Sequence, residues 1–176
     1  MDRMQDTFIE YMIKQKKSTS SILKTVAIVF GAVIAAFLVF MIFLMLPPQL
    51  ITFMPLAVAA VFYGAYRLAA SLNVEFEYTL TNGELDVDKI TNRRRRKRLL
   101  TIHCKSFTVF ARVNDPEHKN EENAEFNKVI DASANSANYD DYYAIFFKNG
   151  QKFKLIFNPT AKMIDVFKMY APRVIK

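Results

Sequence analysis

Two long apolar runs dominate the first part of the chain. Residues 25–46 read TVAIVFGAVIAAFLVFMIFLML, with no charge and no polar face. As a helix this run measures about 33 Å, enough to cross a hydrocarbon core. Pro47 and Pro48 end it, because proline cannot continue the backbone hydrogen-bond ladder. A second run starts at Leu50, with Thr52 as a candidate cap and Pro55 in the first turn, where its missing N–H costs little. It predicts a helix over 53–72, about 30 Å long. The few residues between the runs make the two helices an antiparallel hairpin over 22–72. Near the end of the second run, Tyr63 and Tyr66 are expected as interfacial anchors, and Arg67 snorkels to the headgroups beside them.

Before the hairpin, Met1, Met4, Phe8, Tyr11 and Met12 fall on one helical face, and Asp2, Arg3, Asp6, Glu10 and Lys14 largely on the other. Residues 1–21 therefore read as a cytoplasmic segment that is either an interfacial amphipathic helix or a frayed tail. A polar hinge, KKSTSS over 16–21, closes it.

After Leu72 the period changes to two. Residues 74–80 alternate apolar and polar as a half-buried strand does, and Asn82-Gly83 is a hairpin turn signal. On the return strand Leu85 and Val87, with Lys89, line one face, while Glu84, Asp86 and Asp88 face water. Residues 99–104 and 107–113 predict two further strands, and 114–125 a polar loop. Residues 126–137 read either as a short helix or as a strand over 128–131 followed by a loop. Residues 142–147 and 152–157 flank Asn149-Gly150 as a second hairpin. Met163, Ile164, Phe167 and Tyr170 then form an apolar stripe at helical spacing, with Asn158 or Thr160 as cap, Pro159 in the first turn and Pro172 at the stop. Residues 73–176 thus predict six or seven antiparallel strands and one helix. Their core is Phe76, Tyr78, Leu85, Val87, Leu100, Ile102, Val109, Phe147, Phe157 and Phe167.

A two-span hairpin leading directly into VEFEYTLTNGELDVDKI, a basic turn and then RLLTIHCKSFTVF resembles the bacterial pleckstrin-homology-like membrane proteins. Their first hairpin reads Tyr-x-Leu/Val-Thr-x-x-x-Leu-x-Val/Ile, and Tyr78, Leu80, Thr81, Leu85 and Val87 stand at those positions. The resemblance covers residues 20–176. It implies a membrane α-helical hairpin joined to a mainly β, PH-like antiparallel barrel of seven strands, plugged by the C-terminal helix. The polar loop over 114–125 departs from the compact version of that fold.

Charge adds orientation and a candidate surface. The net charge is +7, and residues 25–66 carry none of it. The connector between the runs has no Lys or Arg. Arg3, Lys14, Lys16, Lys17 and Lys24 precede the runs, and Arg67 and a six-residue basic run follow. By the positive-inside rule the chain is a multi-pass cell-membrane protein with both termini cytoplasmic. The run is Arg93, Arg94, Arg95, Arg96, Lys97 and Arg98, read as an inter-strand turn returning toward the bilayer. It serves either as a topology signal on a solvated turn or as a contact for anionic membrane lipids, at about 1 kcal/mol per basic side chain. A specific phosphoinositide pocket is disfavoured, because the run occupies the second inter-strand turn and lipid-binding PH domains use the first. Nucleic acid is disfavoured because no stacking aromatics interleave the arginines.

No catalytic constellation emerges. His103 and Cys104 are adjacent on a strand and point to opposite faces, so they read as a surface histidine and a core thiol, with no dyad between them. A single cysteine excludes an internal disulfide and a cysteine-rich zinc site, and it suits a reducing compartment. Glu117, His118, Glu121 and Glu122 lie in a polar loop that reads as solvated, with no metal site. Asp140 and Asp141 read as a charged strand edge or loop and not as a catalytic pair. The glycines lie in spans and turns, so no phosphate loop exists. The runs lack interior ionisable residues, which argues against a transporter. We therefore expect a membrane-anchored binding or scaffolding domain with no enzymatic role, metal or cofactor. The alternative is a structural or assembly subunit. There Gly31, Ala32, Ala35, Ala36, Ala57, Ala59, Ala60 and Gly64 pack against another membrane protein or a second copy; otherwise they pack the two spans on each other.

Overall fold

In the computed structural model, which describes residues 7–136 and 139–174, Phe8–Lys14 is a strand, β1. It pairs antiparallel with β2 (Val74–Thr81) from Phe8↔Thr81 to Lys14↔Glu75. The amphipathic helix read from this segment does not form over residues 8–14; residues 1–6 lie outside the described residues. The reason is a competing period. Ile9, Tyr11 and Ile13 alternate with Phe8, Glu10 and Met12, and they pack beside Leu80, Tyr78 and Phe76 in the core. That burial outweighs the helical spacing of Phe8, Tyr11 and Met12. The helices are thus an insertion between β1 and β2. Among the described residues one unit takes 7–16 together with 74–174, and the other takes 17–73. The domain boundary expected at 73 leaves out this first strand.

The helical unit contains α1 (Thr19–Leu44), α2 (Pro48–Ile51) and α3 (Met54–Ala70). α1 is long and apolar enough to cross a membrane, with a mean hydropathy of 3.0 over its best window; α3, at 17 residues, is a shorter apolar helix. The two pack on each other, yet Phe30, Phe37, Leu38, Phe62 and Leu56 remain exposed. Pro55 lies in the first turn of α3 as expected, but Phe53 holds the cap position and Thr52 ends α2. Ala32 is buried and Ala35, Ala36 and Ala57 are half-buried. By contrast, a Cβ added at Gly31 or Gly64 would meet nothing within 4 Å, so neither glycine is needed for helix packing inside this unit.

In the β unit, β3 (Glu84–Thr91) and β4 (Arg95–His103) complete a sheet of order β1-β2-β3-β4. A 3-10 turn at Cys104–Ser106 leads to β5 (Phe107–Arg112), and α4 (Lys119–Glu122) precedes β6 (Lys128–Asp131). With β7 (Tyr142–Lys148) and β8 (Gln151–Phe157) these form a second sheet of order β5-β7-β8-β6. The described residues therefore hold eight strands in two sheets. One pairing, β6 with β8, is parallel where an all-antiparallel set was expected.

Both Asn-Gly turns place two consecutive residues at positive φ (Asn82 49°, Gly83 83°; Asn149 52°, Gly150 75°), the conformation of tight hairpins. They differ in surroundings. A Cβ at Gly83 would lie 2.7 Å from the Tyr170 ring, whereas one at Gly150 meets nothing within 4 Å. Gly83→Ala should cost about 2–3 kcal/mol and Gly150→Ala about 1 kcal/mol, since both carry left-handed strain and only the first displaces a packed ring. Urea midpoints of the two variants check this; equal losses would show that the Tyr170 ring moves aside freely.

The core joins Tyr78, Leu85 and Val87 of the first sheet to Phe110, Phe146 and Phe157 of the second. α5 (Ala161–Tyr170) closes it with Met163 and Phe167, whose ring meets those of Phe107 and Phe110 at 5.9 and 5.6 Å. Thr160 caps α5 by accepting the Met163 N–H. Asn158, the other cap candidate, is buried instead in a polar knot. Its Oδ1 accepts from the Ala134 N–H, its amide nitrogen donates to Asp141, and its backbone N–H reaches Tyr78 Oη, which donates to the Ala132 carbonyl at 2.6 Å.

Phe147, expected in the core, is 56% exposed. The alternation of β7 turns Phe146 inward and leaves Phe147 outside, opposite Lys152 beside the hairpin turn. Val109 belongs to a second cluster with Ala111, Tyr143 and Ile145 on the other face of that sheet, beside Phe126. The long polar loop covers this face. Tyr143 Oη donates to the His118 carbonyl, and Lys154 Nζ donates to the Glu122 carbonyl while lying over the Phe126 and Tyr143 rings.

Candidate functional site

Alternation on β2 and β3 sends Glu75, Glu77, Asp86 and Asp88 to the face opposite the core, and Glu77 pairs directly across from Asp88. Two like charges in that position repel. Both are nonetheless 2% exposed, whereas Asp88 was expected to face water. β4 supplies the reason. Arg96 Nη2 donates to Glu77 Oε2; Arg98 donates through Nε to Asp88 Oδ1 at 2.6 Å and reaches Asp86 Oδ2 at 2.7 Å. Thr101 Oγ1 donates to the other Asp86 oxygen at 2.6 Å, and Arg93 Nε lies 3.4 Å from Glu75. The guanidiniums cover the carboxylates and neutralise them, so they screen each other from water.

The basic run is therefore not one turn. The turn is Asn92, Arg93 and Arg94, with Asn92 at φ 52° and Arg93 at φ 53°, and β4 starts at Arg95. A register shift between Val87 and Asp88 sets Asp88 opposite Arg98 and Ile90 opposite Arg96. Strand alternation then divides the run. Arg96 and Arg98 lie over the acidic face, while Arg95 and Lys97 take the other face, with Lys97 directly opposite Lys89. Among the described residues no carboxylate lies within 4 Å of Lys89, Arg94, Arg95 or Lys97.

Register also locates the turn. Val74 pairs with Thr91 and Thr91 with Arg95, so Arg93 and Arg94 lie at the same end of the sheet as Lys14 and Val74, where the chain leaves the sheet and re-enters it. A cavity of about 480 Å³ adjoins this turn, with Met12 and Ile90 as its apolar part and Arg93, Arg94 and Arg96 around them. The expected anchors Tyr63, Tyr66 and Arg67 belong to the other unit, all exposed within one turn of α3.

His103 and Cys104 diverge. The imidazole Nδ1 accepts the Lys105 N–H, and the ring packs edge-on to Tyr170 at 5.6 Å. The thiol is fully buried, and burial pushes its pKa up from about 9 to about 12. Burial likewise pushes the Tyr143 hydroxyl up to about 12 and raises that of Tyr78 further. The folded protein thus keeps protons that the unfolded chain releases above pH 9–10. Stability is full below that range and falls as pH rises, by about 1.4 kcal/mol per pH unit for each such group. Thermal melts between pH 8 and 11 should show this decline. Cys104→Ala should have a shallower slope between pH 9 and 10, and an unchanged slope would remove the thiol from this account. Of the remaining acidic candidates, Asp140 pairs with Arg112 at 3.3 Å, Asp141 binds Asn158, and Glu122 accepts the Asn114 N–H.

Two signals were available in the sequence and carried little weight there: the Ile9-x-Tyr11-x-Ile13 alternation, and the match between acidic positions on β2 and β3 and basic positions on β4.

Two mainly antiparallel sheets closed by a C-terminal helix are the layout of a PH-like domain. The model of a family described as bacterial PH-like domain (DUF6106) matches residues 5–176, a stretch that includes β1 and the inserted helices. The chain belongs to this bacterial PH-like family. No curated protein and no solved structure matches it.

Proposed function

We propose that this chain is an integral membrane protein that holds a PH-like binding or scaffolding domain at an anionic membrane surface, without catalysis. The observation that carries this reading is the insertion of the helices between β1 and β2. Lys14 pairs with Glu75, and the Gln15 N–H donates to the Val74 carbonyl at 3.1 Å. The two ends of the helical segment are therefore held about 5 Å apart. Ends fixed this closely enter and leave a bilayer from one side. If α1 crosses, the chain must return, and α3 is the return path. Its 17 residues span about 26 Å, which thinning of the bilayer and flanking residues can accommodate. The Lys/Arg distribution supports a cytoplasmic location for that side, with Tyr63, Tyr66 and Arg67 as interfacial anchors.

Arg94, Arg95 and Lys97, with Lys89, are the charges left for anionic lipid headgroups; Arg93, Arg96 and Arg98 serve mainly as counter-ions to buried or half-buried carboxylates. The test uses the β unit with a two-residue turn in place of residues 16–73, floated with vesicles. It should bind vesicles rich in phosphatidylserine, lose binding as salt shortens the screening length to about 8 Å or less, and ignore neutral vesicles. Replacing Arg94, Arg95 and Lys97 by Gln should weaken binding about 100-fold, at about 1 kcal/mol each. Equal binding by both versions would sink the lipid role, and an external signal from a reporter at either terminus would sink the topology.

A subunit of a larger membrane assembly is the second reading, favoured by the open surroundings of Gly31 and Gly64. A monomeric mass in mild detergent would count against it.

A further inference from the structure

A cavity of about 690 Å³ runs along β5, away from the basic run. Among the described residues β5 stands at the edge of its sheet and pairs with β7 alone. Residues 108–112 line the cavity consecutively, so the open space follows the strand rather than one side chain. Its two walls carry opposite charge. On one side are Lys168, in the last turn of α5, and Arg173 beyond it; on the other are Glu117 and Glu121 of the loop that precedes β6. All four are exposed, and among the described residues none has an ion-pair partner within 4 Å.

An edge strand offers unpaired backbone groups to a further strand. The two faces of β5 are distinct. Phe110 faces α5, with its ring 5.6 Å from that of Phe167, and Val109 and Ala111 face the cluster beside the loop. A strand laid on this edge continues the alternation. Every second side chain points toward Lys168 and Arg173, and those between point toward Glu117 and Glu121. We propose that the β5 edge captures an extended segment of a partner protein in which acidic and basic residues alternate. The five lining residues correspond to about 17 Å of strand, a contact of five or six residues. A second copy of this chain fits poorly. Antiparallel pairing of β5 with itself sets α5 beside α5 and loop beside loop, cation against cation and carboxylate against carboxylate. This inference does not depend on the membrane reading.

The test uses the full chain in detergent with two fluorescent peptides of equal composition, Glu-Lys-Glu-Lys-Glu-Lys-Glu-Lys and Glu-Glu-Glu-Glu-Lys-Lys-Lys-Lys. Only the first can present all acids to one wall and all lysines to the other. It should bind about tenfold more tightly than the second and shift the amide resonances of residues 108–112. The double variant Lys168→Glu, Arg173→Glu should bind it about tenfold more weakly while still melting cooperatively, because both positions are exposed and unpaired and the reversed charge in the last turn of α5 only slightly opposes the helix dipole. Equal affinities, unaffected binding by the variant, no binding of either peptide at about 1 mM, or a chain already dimeric through β5 each overturns the proposal.

Discussion

Joining β1 to β2 through an Asn-Gly turn, with residues 16–73 removed, is expected to yield a folded, monomeric domain, whereas residues 73–176 alone are expected to aggregate. Register makes the splice feasible. Gln15 and Val74 already share a ladder hydrogen bond, so two residues at positive φ can close the hairpin as they do at Asn82-Gly83. Without β1, the edge of β2 is bare and Tyr78 and Leu80 lose the cover of Tyr11 and Ile9. Burying a side chain such as Ile13 contributes about 1.5–3 kcal/mol. Losing it with Ile9, Tyr11 and a full ladder therefore removes more than about 5 kcal/mol, on the order of the whole stability of a small domain. Size-exclusion profiles and cooperative thermal melts separate the two versions. A cooperative melt from residues 73–176 alone would show that β1 is an ornament of the sheet.

The second large effect is expected at two of the six basic residues. Arg96→Gln combined with Arg98→Gln should cost about 4 kcal/mol, and Arg94, Arg95 and Lys97 replaced together by Gln less than about 0.5 kcal/mol. The carboxylates of Glu77 and Asp88 have side chains 3% exposed, so removing their guanidinium partners leaves two opposed charges uncompensated under the sheet's own cover. The arginine side chains are themselves 56% and 51% exposed, and water that enters in their place holds the loss from both pairs together to about that of a single broken buried pair. Adding Glu77→Gln and Asp88→Asn to the destabilised double variant should recover part of the loss, since the repelling charges go too. Urea midpoints measure all three. Equal losses for the two sets of basic residues would mean that the acidic face does not need its arginines.

These two expectations mark where sequence reading stopped. Phe8, Tyr11 and Met12 satisfy a helical period and Ile9, Tyr11 and Ile13 satisfy a strand period; a seven-residue segment is too short to choose between them. Its partner lies beyond the two apolar runs, so nothing local announces the pairing. The basic run had the same difficulty. Six consecutive cations read as a solvated turn, because the carboxylates that neutralise three of them come from β2 and β3 and meet them only through a ladder containing a register shift.

The local features are a different matter. α1, the two Asn-Gly hairpins and the capped final helix follow from the chain alone, because each depends on a run of apolar residues, a positive-φ pair or a cap within a few positions. The membership of β1, the parallel pairing of β6, the burial of Asp88 and the exposure of Phe147 depend on which residue stands opposite, and that is a property of the folded sheets. Periodicity tells a residue which face to share with its neighbours; only packing decides whether that face meets water, an arginine or the core.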